Sequence, residues 1–395
     1  VVDDAAAARS DTVPSDLRER VRAMMTAHWR EVDGFGFTVP NATVYPWQWL
    51  WDSCFHSIIW AELGDAERAV RELQSLFAHQ DDDGFVPHVI HHGNPDHHAE
   101  FWGRRGTSSI TQPPMYGHAI AELVRRGVDV PHDLVERARL GLEFLLRRRA
   151  RDEATGLITV VHPWETGADN SPRWDHFCPG GFDVARWKQV KGDLLATVER
   201  TPGGAPVANP AFPVGAVGFN ALVVFNARAI GGRAELTTAA ETVAMAVDAR
   251  WDRAQQTWVD GGPSATGSGR ARTADALLAI LVAIEDDPVR GLGQVADPEA
   301  FGGRYGVRGV HVDDPAYAPT MYWRGPSWPQ LAYLLWSRPL RDPGTDRYLI
   351  ESTVAGARAS GLAEYWDPED GTGLGAIPQS WTGLALVMAG GTVAS

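Results

Sequence analysis

Apolar residues recur at helical spacing along most of the chain. Between residues 15 and 32 they fall at i, i+3, i+4 and i+7, after Pro14 and a Ser15-Asp16 pair suited to open a helix. The same period predicts helices near 53–63, 65–80, 109–127, 131–151, 183–199, 214–231, 234–252, 270–285, 327–338, 345–360 and 378–390. Strand-like alternation is rare, Leu157–His162 between Gly156 and Pro163 being one short example. Twelve helical segments with so few strands argue against an α/β sheet and leave a solenoid or a closed double ring of six inner and six outer helices. A solenoid needs a repeated unit, and none is visible. The pattern therefore predicts an all-α fold with long loops, one domain over 1–395, with 1–13 peripheral or disordered.

Long segments at 81–108, 152–182, 200–213, 253–269 and 303–326 separate the helices. They carry Trp, His, Gly and Pro, a composition of ordered loops that build a site. Charge narrows the choice of partner: 36 Lys+Arg against 50 Asp+Glu leaves −14, which disfavours a nucleic-acid binder. No apolar run approaches the roughly 20 residues of a membrane span, so no membrane partner is expected. Cys54 and Cys178 cannot form a disulfide framework, which makes a reducing cytoplasm the default location. The chain begins without Met, so a trimmed export signal stays open, as does assembly with copies of itself.

Tryptophan changes the picture. The chain has 16 Trp against 13 Phe and 8 Tyr, and an indole face suits either a core or stacking on a sugar ring. In Tyr45–Asp52, four aromatics and Asp52 fall within eight residues just before an apolar helix, with Asp52-Ser53 as the expected N-cap. The run Trp164–Asp175 places three carboxylates, Glu165, Asp169 and Asp175, among turn-forming Gly, Asn and Pro. Crowding by like charge or shielding by indoles would keep one of them protonated as a general acid. Glu364, in Ala363-Glu364-Tyr365-Trp366-Asp367-Pro368, is expected at a helix end, where the macrodipole disfavours an anion. Two such carboxylates are the equipment of glycoside cleavage, one protonating the leaving oxygen and one activating water or attacking the anomeric carbon.

Five motifs in order carry a resemblance: Tyr45-Pro46-Trp47-Gln48-Trp49-Leu50-Trp51-Asp52-Ser53, Thr111-Gln112-Pro113-Pro114, Glu165-Thr166-Gly167-Ala168-Asp169-Asn170-Ser171-Pro172-Arg173-Trp174, Tyr322-Trp323-Arg324-Gly325-Pro326-Ser327-Trp328-Pro329 and Glu364-Tyr365-Trp366-Asp367-Pro368. From about residue 40 to 385 the chain resembles glycoside hydrolase family 63, which includes processing α-glucosidases and bacterial mannosylglycerate and glucosylglycerate hydrolases and is related to the trehalases. The resemblance implies an (α/α)6 barrel and an inverting α-glycosidase that releases a small leaving group from an α-glucoside or α-mannoside, or a trehalase-like hydrolase, with no cofactor. It implies Asp169 as general acid and Glu364 as general base. Tyr45, Trp49, Asp52, Gln112, Trp164 and Gly167 match residues around the sugar, with Tyr322, Trp323 and Trp328 on the other side and Gln379 near the leaving group.

Other residues weigh less. The five imidazoles of His88–His98 lack helical i, i+4 geometry, so no metal site is expected, and His88 is read as a substrate contact in a covering loop. Arg324 is either a sugar contact or the holder of a neighbouring carboxylate. The glycine-rich run 261–269 has no following Lys and reads as a lid or turn. The segment Arg200–Pro210 offers no clear counterpart of the basic residue that glycerate-cleaving members of the family use, and with a charge of −14 this weighs against an anionic leaving group. Two other classes stay open: a sugar-binding barrel without turnover, and a sugar epimerase, which needs a histidine pair where these motifs converge on carboxylates.

Overall fold

Each predicted helical period becomes a helix where neither proline nor a turn interrupts it. The computed structural model describes residues 15–265, 270–282 and 290–391. Among these the α-helices are α1 Ser15–His28, α2 Leu50–Glu62, α3 Ala66–Phe77, α4 Ala99–Trp102, α5 Tyr116–Arg125, α6 His132–Arg148, α7 Val184–Ala196, α8 Val217–Ile230, α9 Ala234–Asp248, α10 Pro329–Trp336, α11 Pro343–Ala359 and α12 Leu384–Gly390. Residues 1–13 lie outside the described residues, as do 266–269 of the glycine-rich run.

Several boundaries differ from expectation for local reasons. Pro113 and Pro114 hold the chain extended, so the helix predicted from 109 starts at Tyr116. The first helix stops at His28, and Trp29–Val32 (β1) turns back on Phe35–Thr38 (β2) through Asp33-Gly34, both at positive φ. An Asp-Gly pair between apolar residues is a strong hairpin signal that helical periodicity concealed. The segment predicted from 270 gives, in its described part, a 3-10 turn at Ala276–Leu281. Leu157–His162 forms isolated bridges, Arg151 to Ile158 and Val160 to Val214, instead of a strand.

Six elements pack in a closed circuit: α2 on α5, α5 on α8, α8 on the 276–281 turn, that turn on α10, α10 on α12, and α12 back on α2. Around it, α3 packs on α2, α6 on α8, α9 on α8 and α11 on α10 and α12. Burial follows this division. Residues 50–60 of α2 and all eight of α10 are buried, polar Asp52, Ser53, His56, Ser57 and Gln330 included, so these helices keep no face in water. The amphipathic α3 buries Ala69, Leu73, Leu76 and Phe77, and Asp65 caps it by accepting from the Arg68 N–H at 3.0 Å. Short antiparallel ribbons join the loops: Gln48–Trp49 (β3) pairs with Val89–Ile90 (β4), and the last of them, Tyr365–Trp366 with Gly373–Leu374, follows Glu364.

Polar side chains tie neighbours in the circuit. Asn226 Oδ1 accepts the His118 N–H at 2.7 Å, and His118 Nε2 meets the Tyr333 hydroxyl at 2.8 Å, linking α8, α5 and α10. Arg173 is buried and donates to both Asp260 oxygens at 2.6 and 2.7 Å and to Asp275. Removing one member of such a network leaves a buried charge uncompensated, at about 3–5 kcal/mol. Burial already pushes the Asp260 carboxyl up to about 6. A carboxyl raised in the folded state favours folding fully below its unfolded value, and that contribution is lost as pH rises through the folded one. Arg173→Met should therefore lower the thermal midpoint more at pH 8 than at pH 5, measured by circular dichroism; an equal drop at both would show that the carboxylates find other partners.

Candidate active site

One cavity of about 250 Å³ gathers most of the residues singled out by the motifs. Its walls come from the chain just before, or in the first turn of, the circuit helices: Trp49, Trp51 and Asp52 at α2, Gln112 before α5, Tyr322 and Trp323 before α10, and Gln379 and Trp381 before α12. The cavity thus opens at the N-terminal end of the helical circuit. Tyr45, His88, Trp164, Gly167, Asp169 and Glu364 line it too, so every predicted site residue except Trp328 is present, and Pro40 and Trp102 join them.

Asp169 and Glu364 meet here from opposite halves of the sequence. Each has a tyrosine hydroxyl: Tyr322 donates to Asp169 Oδ2 at 3.4 Å and Tyr45 to Glu364 Oε1 at 3.1 Å. The other Glu364 oxygen accepts the Ala376 N–H at 2.9 Å. Burial raises both carboxyls, Asp169 to about 6, countered by Lys191, and Glu364 to about 7, countered by its two hydrogen bonds. Asp52, only 3% exposed, has no ion-pair partner among the described residues; burial and the Glu364 charge hold it well above the ordinary carboxylate range.

The acidic cluster separates. Glu165 is buried in an ion pair with Arg149 at 2.5 and 3.0 Å, and Asp175 takes both forks of Arg324 at 2.7 Å. Arg324 is therefore the holder of a carboxylate, and only Asp169 of the three lines the cavity. Asp169 is raised by lost hydration, not by crowding. Asp52 sits inside the first turn of α2, whose N-cap is Trp49, so Asp52 does not cap. Glu364 lies beyond the end of α11, directly before the ribbon at Tyr365, and not at a helix terminus.

Trp328 does not line the cavity. It stands behind Trp323, stacked at 3.8 Å and 8°, and is stacked on its other neighbour Tyr365 at 4.4 Å. Trp47 is also outside, packed on His91 and His97. His88 is held by the Ser108 hydroxyl at 2.6 Å, and Gln112 Oε1 accepts the Trp51 N–H at 3.3 Å. Gly167 has φ +74°, and a Cβ there would collide with the Trp51 ring. Three buried polar atoms of lining residues lack a partner among the described residues: Nε1 of Trp49, Nε1 of Trp323 and Oε1 of Gln379. Among the described residues no group of three or more His, Cys, Asp or Glu is placed to hold a metal ion.

Sequence reasoning missed Trp102, Trp381 and the basic residue near the acid. Trp102 follows the histidine-rich loop and packs against His88 and Trp164. Lys191 donates to Asn170 Oδ1 at 2.9 Å and lies 5.6 Å from the Trp164 ring centre. Its only signal in the sequence is its spacing from Trp187, four residues earlier on a predicted helix.

Comparison with known proteins agrees with this geometry. The mannosylglycerate hydrolase MGH1-like glycoside hydrolase domain matches residues 45–382. A mannosylglycerate hydrolase of Thermus thermophilus is 30% identical, over 89% of this chain and 96% of its own. A glucosylglycerate hydrolase of Mycolicibacterium hassiacum is 26% identical, over 89% and 93%. The crystal structure of a GH63 mannosylglycerate hydrolase from Thermus thermophilus, in complex with Tris and D-glycerate, superposes with TM-score 0.79 at 27% identity, covering 94% of this chain and 99% of that one. Neutral trehalase from Saccharomyces cerevisiae shares the fold alone, with TM-score 0.56 at 15% identity over 90% and 73%. The chain is a glycoside hydrolase and belongs to the mannosylglycerate hydrolase MGH1-like family of GH63 enzymes.

Proposed function

We propose that this protein hydrolyses an α-linked mannosyl- or glucosylglycerate with inversion at the anomeric carbon. The observation that carries the reading is one sugar-sized cavity holding two buried, tyrosine-bonded carboxyls, Asp169 and Glu364, between indole walls. The closed helical circuit supports an (α/α)6 toroid as a single catalytic domain, and the two free, buried cysteines support a reducing compartment.

In this mechanism the Asp169 carboxyl donates its proton to the glycosidic oxygen as the bond from the anomeric carbon to that oxygen breaks. Its electron pair stays with the leaving alcohol. The Glu364 carboxylate takes a proton from a water that attacks the opposite face, which calls for roughly 6.5–9.5 Å between the carboxyls. In the empty cavity Glu364, at about 7, holds a shared proton ahead of Asp169, at about 6, so these roles require bound substrate to reverse that order, the glycosidic oxygen taking the Asp169 hydrogen bond and the attacking water facing Glu364. Asp52 accepts from vicinal sugar hydroxyls.

The cavity of about 250 Å³ suits one hexose, and the glycerate hydrolases among the relatives favour glycosylglycerates over α,α-disaccharides.

Proton NMR at early times on mannosylglycerate, glucosylglycerate and trehalose should show one or both glycerates cleaved, with the β-anomer appearing first. Release of the α-anomer first would overturn inversion. Asp169→Asn and Glu364→Gln should each lower kcat on the glycerate by about 10²–10⁴ with little change in KM. The values of about 6 and about 7 belong to the coupled pair. Below them both carboxyls are protonated and the base is lost; above them both are ionised and the acid is lost. A bell-shaped kcat/KM profile with its maximum between pH 6 and 7 is expected, and a plateau up to pH 9 would contradict it.

A further inference from the structure

Helix α7 belongs to neither shell of the helical circuit, yet three of its bonds reach the segment that carries Asp169. Trp187 Nε1 donates to the Asp169 carbonyl oxygen at 2.8 Å, and one turn later Lys191 Nζ donates to Asn170 Oδ1 at 2.9 Å. The Lys191 carbonyl accepts from His162 Nε2 at 2.8 Å, at the start of the same loop. Trp187 is 1% exposed and Lys191 8%. A buried ammonium is costly unless a charge compensates it, and the carboxylate that acts on Lys191 is Asp169.

We propose that Lys191 is a positioning residue for proton donation: with Trp187 it seats the Asp169–Asn170 backbone on α7 and sets a fixed positive charge beside the Asp169 carboxyl. This rests on Asp169 being the general acid. Donating its proton leaves Asp169 negative inside a dry cavity, and the Lys191 charge stabilises that product, so the acid gives up its proton more readily. Among the described residues no other cation does this. Arg324 touches the Asn170 carbonyl at 3.4 Å but is committed to Asp175, and Tyr322, Tyr45 and Glu364 are the remaining ionisable groups facing Asp169. Lys188 and His162 adjoin Lys191 itself.

The test uses two leaving groups. Glycerate leaves as an alkoxide that needs a proton, whereas fluoride from the α-glycosyl fluoride of the same sugar departs with little proton donation. Lys191→Met, and Lys191→Gln, which retains a donor toward Asn170, should lower kcat on the glycosylglycerate roughly tenfold or more and on the fluoride less than about threefold. The alkaline limb of the profile should move to higher pH in both, because Asp169 holds its proton longer. Lys191→Arg should keep the limb in place. Trp187→Phe should lower kcat on the glycerate without moving the limb. Equal losses on both substrates, or an unmoved limb in Lys191→Gln, would reduce Lys191 to a structural residue. Asp169→Asn is the reference: if it keeps full glycerate hydrolysis the acid assignment itself fails, whereas its loss beside unselective Lys191 variants overturns only the role of Lys191.

Discussion

Everything in this protein depends on apolar helices closing on one another. Helices such as α2 and α10 are mainly apolar and buried on every side, so each must be covered all round. Closure of the circuit supplies inner neighbours and the surrounding helices supply the rest. Once closed, the circuit aligns the segments entering its helices around a common opening. That is why residues from 40 to 381 share one small cavity.

The same closure sets the chemistry. A carboxyl in this cavity has exchanged water for indole rings and a few hydroxyls, so the cost of ionisation rises for every acid placed there. Asp169, Glu364 and Asp52 all carry that cost, but their hydrogen-bond partners divide them. Glu364 has two donors, whereas Asp169 has one weak donor and the charge of the Lys191 ammonium, so the two carboxyls answer to different partners.

The helical period and the five motifs were legible because each has a local cause. Periodic burial shows in single segments, and Asp169, Glu364, Tyr45 and Trp49 sit in unusual runs of aromatic and acidic residues. What escaped depends on contacts between segments. Trp328 reads like Trp323 in the sequence, and only packing reveals that one shields the other. Glu165 and Asp175 look like partners of Asp169 until Arg149 and Arg324, distant in sequence, claim them. Lys191 was hidden for the opposite reason: a lysine on a helix is ordinarily a solvated residue, and nothing local marks this one as buried.

Gly167 joins two parts of the site that are otherwise separate. It sits two residues before Asp169, its backbone is left-handed, and the Trp51 ring occupies the space a side chain would take. Trp51 in turn meets Trp381 edge to face, on the helix entry beside Gln379. A bulkier residue at 167 would move the indole floor as well as the acid loop. Altered sugar preference and altered chemistry at Asp169 would then be inherited together.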